Sequence, residues 1–208
     1  MQYIDLTHAF TPNMPVYPGD SPPTLTQTGF FEKDGYNDFH ISTGMHVGTH
    51  MDSPLHMLEN GKRLSEFPVE KFFGKGHLID ARKKTINASL LRNKEISEGD
   101  IVLIMTGFYA KFSERQYYEK YPEIEENFAN KIVELGVSIV GMDTPSPDRV
   151  PFKIHKILLG SDVLIIENLA NLDKLSKTLG QNGQFRVIAL PTKFAAEAAP
   201  VRVIAEIC

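Results

Sequence analysis

Eleven residues in the first third of the chain restrict its fold more than any others: His46-Val47-Gly48-Thr49-His50-Met51-Asp52-Ser53-Pro54-Leu55-His56. His46, His50, Asp52 and His56 all occupy even positions, as do Gly48 and Pro54. An extended strand sends even positions to one face, so the spacing predicts a strand on which the four polar groups converge. A helix would bring His46 and His50 together but rotate Asp52 and His56 away. Gly48 and Pro54 are also poor occupants of a helix interior.

A His-x-x-x-His pair makes no site by itself. Three histidines and an aspartate in phase, held on one face, point to a metal centre. Imidazole and carboxylate ligands suit Zn, Mn or Fe, and a carboxylate can bridge two ions. The only cysteine, Cys208, argues against a thiolate zinc site and excludes a disulfide within the chain.

With 208 residues, the chain is expected to form one domain over 1–208 with a core that needs no covalent staple. A net charge of −4 and no long basic run give no electrostatic case for nucleic acid. No apolar run approaches the roughly 18 residues that would span a bilayer. The opening Met-Gln-Tyr-Ile-Asp-Leu-Thr-His lacks the pattern of a signal peptide, so the expected compartment is the cytoplasm.

Along the chain, Tyr3–Leu6 reads as a first strand. The prolines at 12, 15, 18, 22 and 23 then impose an ordered loop containing Tyr17. Strands are expected at 24–31 and 39–44, at 76–80, and at Ile101–Met105, whose unbroken apolar run suits burial on both faces. Asn87 caps a helical turn. Pro122 to Gly136 reads as the clearest helix, with proline at its start, acidic residues in its first turn and glycine as its stop. Strands follow at 137–141, at 163–166 and, to close the chain, at 185–190 and 201–205, with a short helix over 152–159. Mixed α and β with strands predominating is the fold class this pattern supports, α/β or α+β. His8 and His77 read as structural histidines, and Asp143 as a structural carboxylate. His40 shares the even parity but precedes the dense stretch. His155 alone would be a surface helical histidine and Glu167 a strand-end carboxylate.

The pattern His46-x-Gly48-Thr49-His50-x-Asp52-x-Pro54-x-His56 resembles the signature of the cyclase family of metal-dependent hydrolases, which includes bacterial kynurenine formamidase (arylformamidase) and isatin hydrolase. Further segments are similar to that family: Gly141-x-Asp143-Thr144-Pro145-Ser146, Glu167-Asn168-Leu169, Leu190–Lys193 and Ala199–Val203. The likeness thus runs from the proline-rich loop to the last strand. It implies a swivelling β/β/α fold with a β-barrel-like core. It also implies two divalent ions, zinc foremost and Mn or Fe as substitutes. His46, His50 and Asp52 would hold one ion, and Asp52 would bridge to a second held by His155 and Glu167. His56 would act as general acid/base.

The implied reaction is hydrolysis of a small amide, N-formyl-L-kynurenine to L-kynurenine and formate, a step of tryptophan breakdown. Metal coordination brings the pKa of water to about 7, which makes hydroxide available at neutral pH. In kynurenine formamidases an aromatic residue of the proline-rich loop, usually tryptophan, lines the substrate pocket; here it is Tyr17. That departure leaves the hydrolase chemistry in place and opens the substrate to isatin or another cyclic amide. A metal-binding module without catalysis is the third reading; His56, a base beyond the ligand set, speaks against it. Family members are commonly homodimers, which is the implied assembly.

Overall fold

The computed structural model describes residues 1–180 and 183–207; Cys208 lies outside the described residues. A closed barrel organises the chain. Strand β1 (Gln2–Asp5) pairs with the last strand, β10 (Ala198–Ile207). From β10 the order runs through β4 (His50–Asp52), β8 (Leu164–Glu167), β7 (Ile139–Met142), β6 (Ile101–Met105), β5 (Phe73–Asp80) and β9 (Phe185–Pro191), and β9 pairs back onto β10. Seven strands therefore close a ring, with β1 added outside it. Closure removes the exposed edges that an open sheet would present. This is the mixed α/β, barrel-cored fold expected.

β5, β6, β7 and β8 run parallel, and parallel strands with both faces covered carry continuous apolar runs. Every residue of Ile101–Met105 is buried, as its composition predicted. Leu103, Ile166, Val187 and Val203 fill the barrel interior, where Met51 joins them. The alternate residues Val102, Ile104, Val140 and Ile165 face outward into a second cluster. Helices α3 (Glu126–Glu134) and α4 (Lys153–Leu159) cover that outer face, contributing Phe128, Ile132, Ile154 and Leu158.

Two sequence expectations are narrowed. The helix expected from Pro122 begins at Glu126, because the segment before it stays extended to dock. Ile124 bridges Ile86, and its N–H donates to the Pro147 carbonyl. Its end is as expected: Gly136 adopts φ +67°, the left-handed stop that glycine takes without strain. The strand expected over 46–56 spans only His50–Asp52. Gly48, at φ +66°, turns the chain before it, and a Cβ there would lie 2.7 Å from Met14 Cε. A 3₁₀ turn, Pro54–His56, follows it.

A separate antiparallel pair, β2 (Thr24–Gly29) and β3 (Asp38–Ser42), is joined through one helical turn, α1 (Phe31–Asp34). Phe39 and Ile41 share one face of β3 and are 54% and 51% exposed. Of the remaining helices, α2 (Gln116–Glu119) buries Tyr117, and α5 (Leu172–Leu179) seats Leu172 and Leu175 against the barrel interior.

His8 follows β1 and stacks on Phe112, with ring centroids 3.8 Å apart and planes 10° from parallel. Its Nε2 has no hydrogen-bond partner among the described residues. Burial lowers its pKa to about 4 from the usual 6.5. The unfolded chain therefore binds the proton more readily, and this histidine's contribution to stability falls as pH drops from about 6.5 toward about 4. His8→Phe keeps the ring stack and removes the titration. Urea midpoints at pH 7 and pH 5 should show the variant gaining on the natural chain at the lower pH; an unchanged gap would show that His8 stays accessible to protons in the fold.

Candidate metal centre and active site

β4 is short, but its alternation sorts the site. Met51 turns into the barrel, so His50 and Asp52 turn to the outer face. β4 pairs antiparallel with β8 in a register that sets His50 directly opposite Glu167. The donor atoms meet there: His50 Nε2 is 3.3 Å from Glu167 Oε2 and 3.5 Å from Asp52 Oδ1. Helix α4, packed across the same face, brings down His155, whose Nε2 lies 3.3 Å from Glu167 Oε1 and 3.9 Å from Asp52 Oδ2. The turn at Gly48 returns His46 to the cluster, with Nδ1 3.0 Å from Asp52 Oδ1. The 3₁₀ turn folds His56 back so that its ring centroid is 4.2 Å from that of His46 and 5.7 Å from that of His155. All six residues singled out for metal and proton chemistry thus meet at one point.

Two triads have donor atoms close enough to share an ion: His46, Asp52 and His56, and His50, Asp52 and Glu167. Asp52 belongs to both. This grouping sets His50 with Glu167 and draws His56 toward His46, where the resemblance divided the residues otherwise.

The electrostatics ask for positive charge. Burial pulls the His46 imidazole down, but Asp52, Glu167 and Glu197 outweigh it and lift its pKa to about 9. At His155 burial is likewise overcome, by Asp148, Glu167 and Asp52, and the pKa rises to about 10. His50 moves the same way, burial yielding to Asp52 and Glu167. Burial would raise the Asp52 carboxyl, yet His50 and His46 hold it below the usual carboxylate range. His56 differs: burial dominates and keeps it below its ordinary value.

A divalent ion would meet this demand, and the residues fit one. Asp52 is wholly buried, and both its oxygens, with His50 Nε2, have no hydrogen-bond partner among the described residues. Orphaned buried groups of this kind are costly unless something binds them. An imidazole and carboxylate set without thiolate is the donor chemistry of Zn, Mn or Fe.

The cluster opens into a cavity of about 220 Å³. Tyr17 lines it, meeting Tyr118 edge-on at 5.8 Å, and Met57 and Phe152 add apolar wall. Phe152 holds φ +58° at the start of α4, a strained conformation for a bulky residue. His46, His56 and His155 face the same cavity.

Several residues here escaped the sequence reading. Asp148 lies two positions past the segment ending at Ser146, and nothing in its spacing announces it; its Oδ1 is 2.6 Å from His155 Nδ1. Asn168 stands beside Glu167 in a recognisable run. Its side-chain amide donates to the Gly48 carbonyl at 2.9 Å and accepts from the Tyr117 hydroxyl at 2.9 Å. Glu197, whose Oε1 is 3.5 Å from His46 Nε2, arrives through the pairing of β10 with β4. The other histidines stay apart: His77 pairs with Asp100 at 2.7 Å, and His40 is exposed on β3. Asp143 is engaged by the N–H groups of Thr106 and Gly107, each at 2.8 Å, as a structural carboxylate would be.

The chain is similar to known proteins along nearly its whole length. Over 209 residues the chain is 27% identical to a kynurenine formamidase of Bacillus cereus, covering 98% of this chain and 96% of the relative. A solved structure from Bacillus stearothermophilus, described as a predicted metal-dependent hydrolase, is 27% identical with a TM-score of 0.79, covering 98% of this chain and 97% of that one. Isatin hydrolase A from Labrenzia aggregata shares the fold, with a TM-score of 0.83 at 24% identity over 98% of this chain and 93% of its own. The family model named Cyclase matches residues 4–149. The chain belongs to the Cyclase family and is a metal-dependent hydrolase of that family.

Proposed function

We propose that the chain hydrolyses aryl formamides, with N-formyl-L-kynurenine as the substrate and L-kynurenine and formate as products. The observation that carries this reading is the placement of His56 beside the carboxylate and imidazole cluster at the mouth of an aromatic cavity. Similarity to a kynurenine formamidase along nearly the full chain supports it.

His46, His50, Asp52, His155 and Glu167 would hold two divalent ions, zinc by preference, with Asp52 shared between them. Bound there, such ions supply Lewis acidity toward a carbonyl oxygen and make water a nucleophile near neutral pH. Tyr17, Tyr118 and Phe152 would receive the aryl ring and exclude solvent from its faces. His56, half-buried beside the His46 and His155 rings, would carry the proton. It accepts it as water attacks the formyl carbon and delivers it to the departing aryl amine. The neutral imidazole accepts the proton and the imidazolium so formed delivers it, and burial favours the neutral resting form at His56.

Two further assignments accompany this reading. The exposed face of Phe39 and Ile41, with Phe30, Phe31 and Tyr36 nearby, would meet a second copy of the chain in a homodimer. A reducing cytoplasm would suit a chain with one cysteine.

The test is hydrolysis of N-formylkynurenine and isatin side by side, by metal-stripped protein and by protein reloaded with Zn or Mn. Metal-dependent turnover of N-formylkynurenine is the expected result. Turnover of isatin alone would keep the site chemistry and replace the substrate with a cyclic amide.

A further inference from the structure

We propose that Asp148 is a positioning residue of the metal centre: its carboxylate keeps the His155 Nδ1 proton in place, so that Nε2 is the nitrogen offered to an ion. The inference rests on the reading of His155 as a ligand and goes beyond it.

His155 has two ring nitrogens with opposite surroundings. Nε2 points at Glu167 Oε1 and Asp52 Oδ2, at 3.3 and 3.9 Å. Nδ1 points away from the cluster, onto Asp148 Oδ1 at 2.6 Å. Asp148 is buried, and its own position is over-determined. Its second oxygen, Oδ2, accepts from the Ile154 N–H at 2.6 Å, inside the first turn of the helix that bears His155. Its carbonyl accepts from the Tyr121 and Ser146 hydroxyls, at 2.9 and 2.8 Å. One carboxylate therefore orients both the helix and the ring it presents. For His50 the same task falls to a backbone group, the Gly48 carbonyl, 2.8 Å from Nδ1.

An ionised carboxylate offers acceptors to both donors, Ile154 N–H and His155 Nδ1–H. The amide of Asp148→Asn offers only one acceptor oxygen and sets an NH₂ where the other was. If the oxygen stays on Ile154, the NH₂ faces Nδ1 and favours the tautomer with its proton on Nε2, the wrong nitrogen for binding an ion. Loss of such an outer partner typically weakens metal affinity by about 10–100-fold.

The experiment is zinc titration against a competing chelator for the natural chain, Asp148→Asn and His155→Gln, with circular dichroism confirming that each is folded. Asp148→Asn should lose about 10–100-fold in affinity for at least one ion, and His155→Gln at least as much. Natural affinity in Asp148→Asn alongside weakened affinity in His155→Gln overturns the positioning role alone. Natural affinity in both overturns the ligand reading beneath it. A second measurement needs no variant at position 148: the natural chain, labelled with ¹⁵N-histidine and loaded with ¹¹³Cd, should show cadmium coupling to His155 Nε2 and a slowly exchanging proton on Nδ1. Coupling through Nδ1 would refute the proposal.

Discussion

His56→Ala is expected to reduce kcat for amide hydrolysis by about 10²–10⁴-fold, the usual worth of a well-placed proton carrier, while metal content per chain stays near that of the natural protein. The side chain sits at the end of the Pro54–His56 turn and lines the cavity, so its removal opens space without unseating the β4–β8 pairing that holds His50 and Glu167. Elemental analysis run beside the kinetics separates two roles. Activity lost with metal retained identifies a proton carrier. Activity and metal lost together would make His56 a ligand, as its grouping with His46 and Asp52 permits. Substantial remaining activity would remove His56 from the chemistry altogether.

Asp52→Asn should have the larger effect on the centre itself. Asp52 is the group common to both possible ion-binding triads, and it is wholly buried. The amide has nearly the same shape, so packing is kept while the anionic charge shared by His46 and His50 is lost. The expected loss of metal affinity exceeds the roughly 10–100-fold cost of an outer-shell change, and turnover falls to background. Calorimetry gives an independent reading. An ion at a thousand times its Kd stabilises the fold by about 4 kcal/mol, so zinc should raise the melting temperature of the natural chain distinctly and that of Asp52→Asn little. An equal rise in both would show that Asp52 is not a ligand.

The outer-shell assignment at Asp148 and the inner-shell assignment at Asp52 make different demands on the same protein. Asp148→Asn should weaken binding by a bounded factor in a centre that still assembles. Asp52→Asn removes the carboxylate on which the donor atoms of β4, β8 and α4 converge. A graded loss at 148 and a steep one at 52 is therefore the pattern expected of a centre built in two shells.

Much of the site was legible because metal chemistry selects residue types that stand out at short spacing. Three histidines and an aspartate within 46–56 announced themselves before any fold was considered. The buried run Ile101–Met105 and the glycine stop at Gly136 were equally readable, each depending on burial or backbone conformation within a few residues. His155 and Glu167 came only through the family resemblance, since each alone is an ordinary helical histidine or strand-end acid. The homodimer and the preferred metal were likewise drawn from resemblance rather than from local pattern.

Alternation over 46–56 placed the four groups together through one long strand, yet the paired strand spans only His50–Asp52. The turn at Gly48 and the 3₁₀ turn at Pro54 achieve the convergence instead, because the chain must bend around Met14 and fold back toward α4. Residue chemistry and short-range conformation, which depend on neighbours along the chain, were set by the sequence alone. Which donors share a point, which nitrogen of His155 faces it, and the arrival of Asp148 and Glu197 beside it depend on the β4–β8 register, barrel closure at β10 and the docking of α4. Those are contacts between residues up to about 150 positions apart, from Glu197 back to His46, and only the packed tertiary structure brings them within reach.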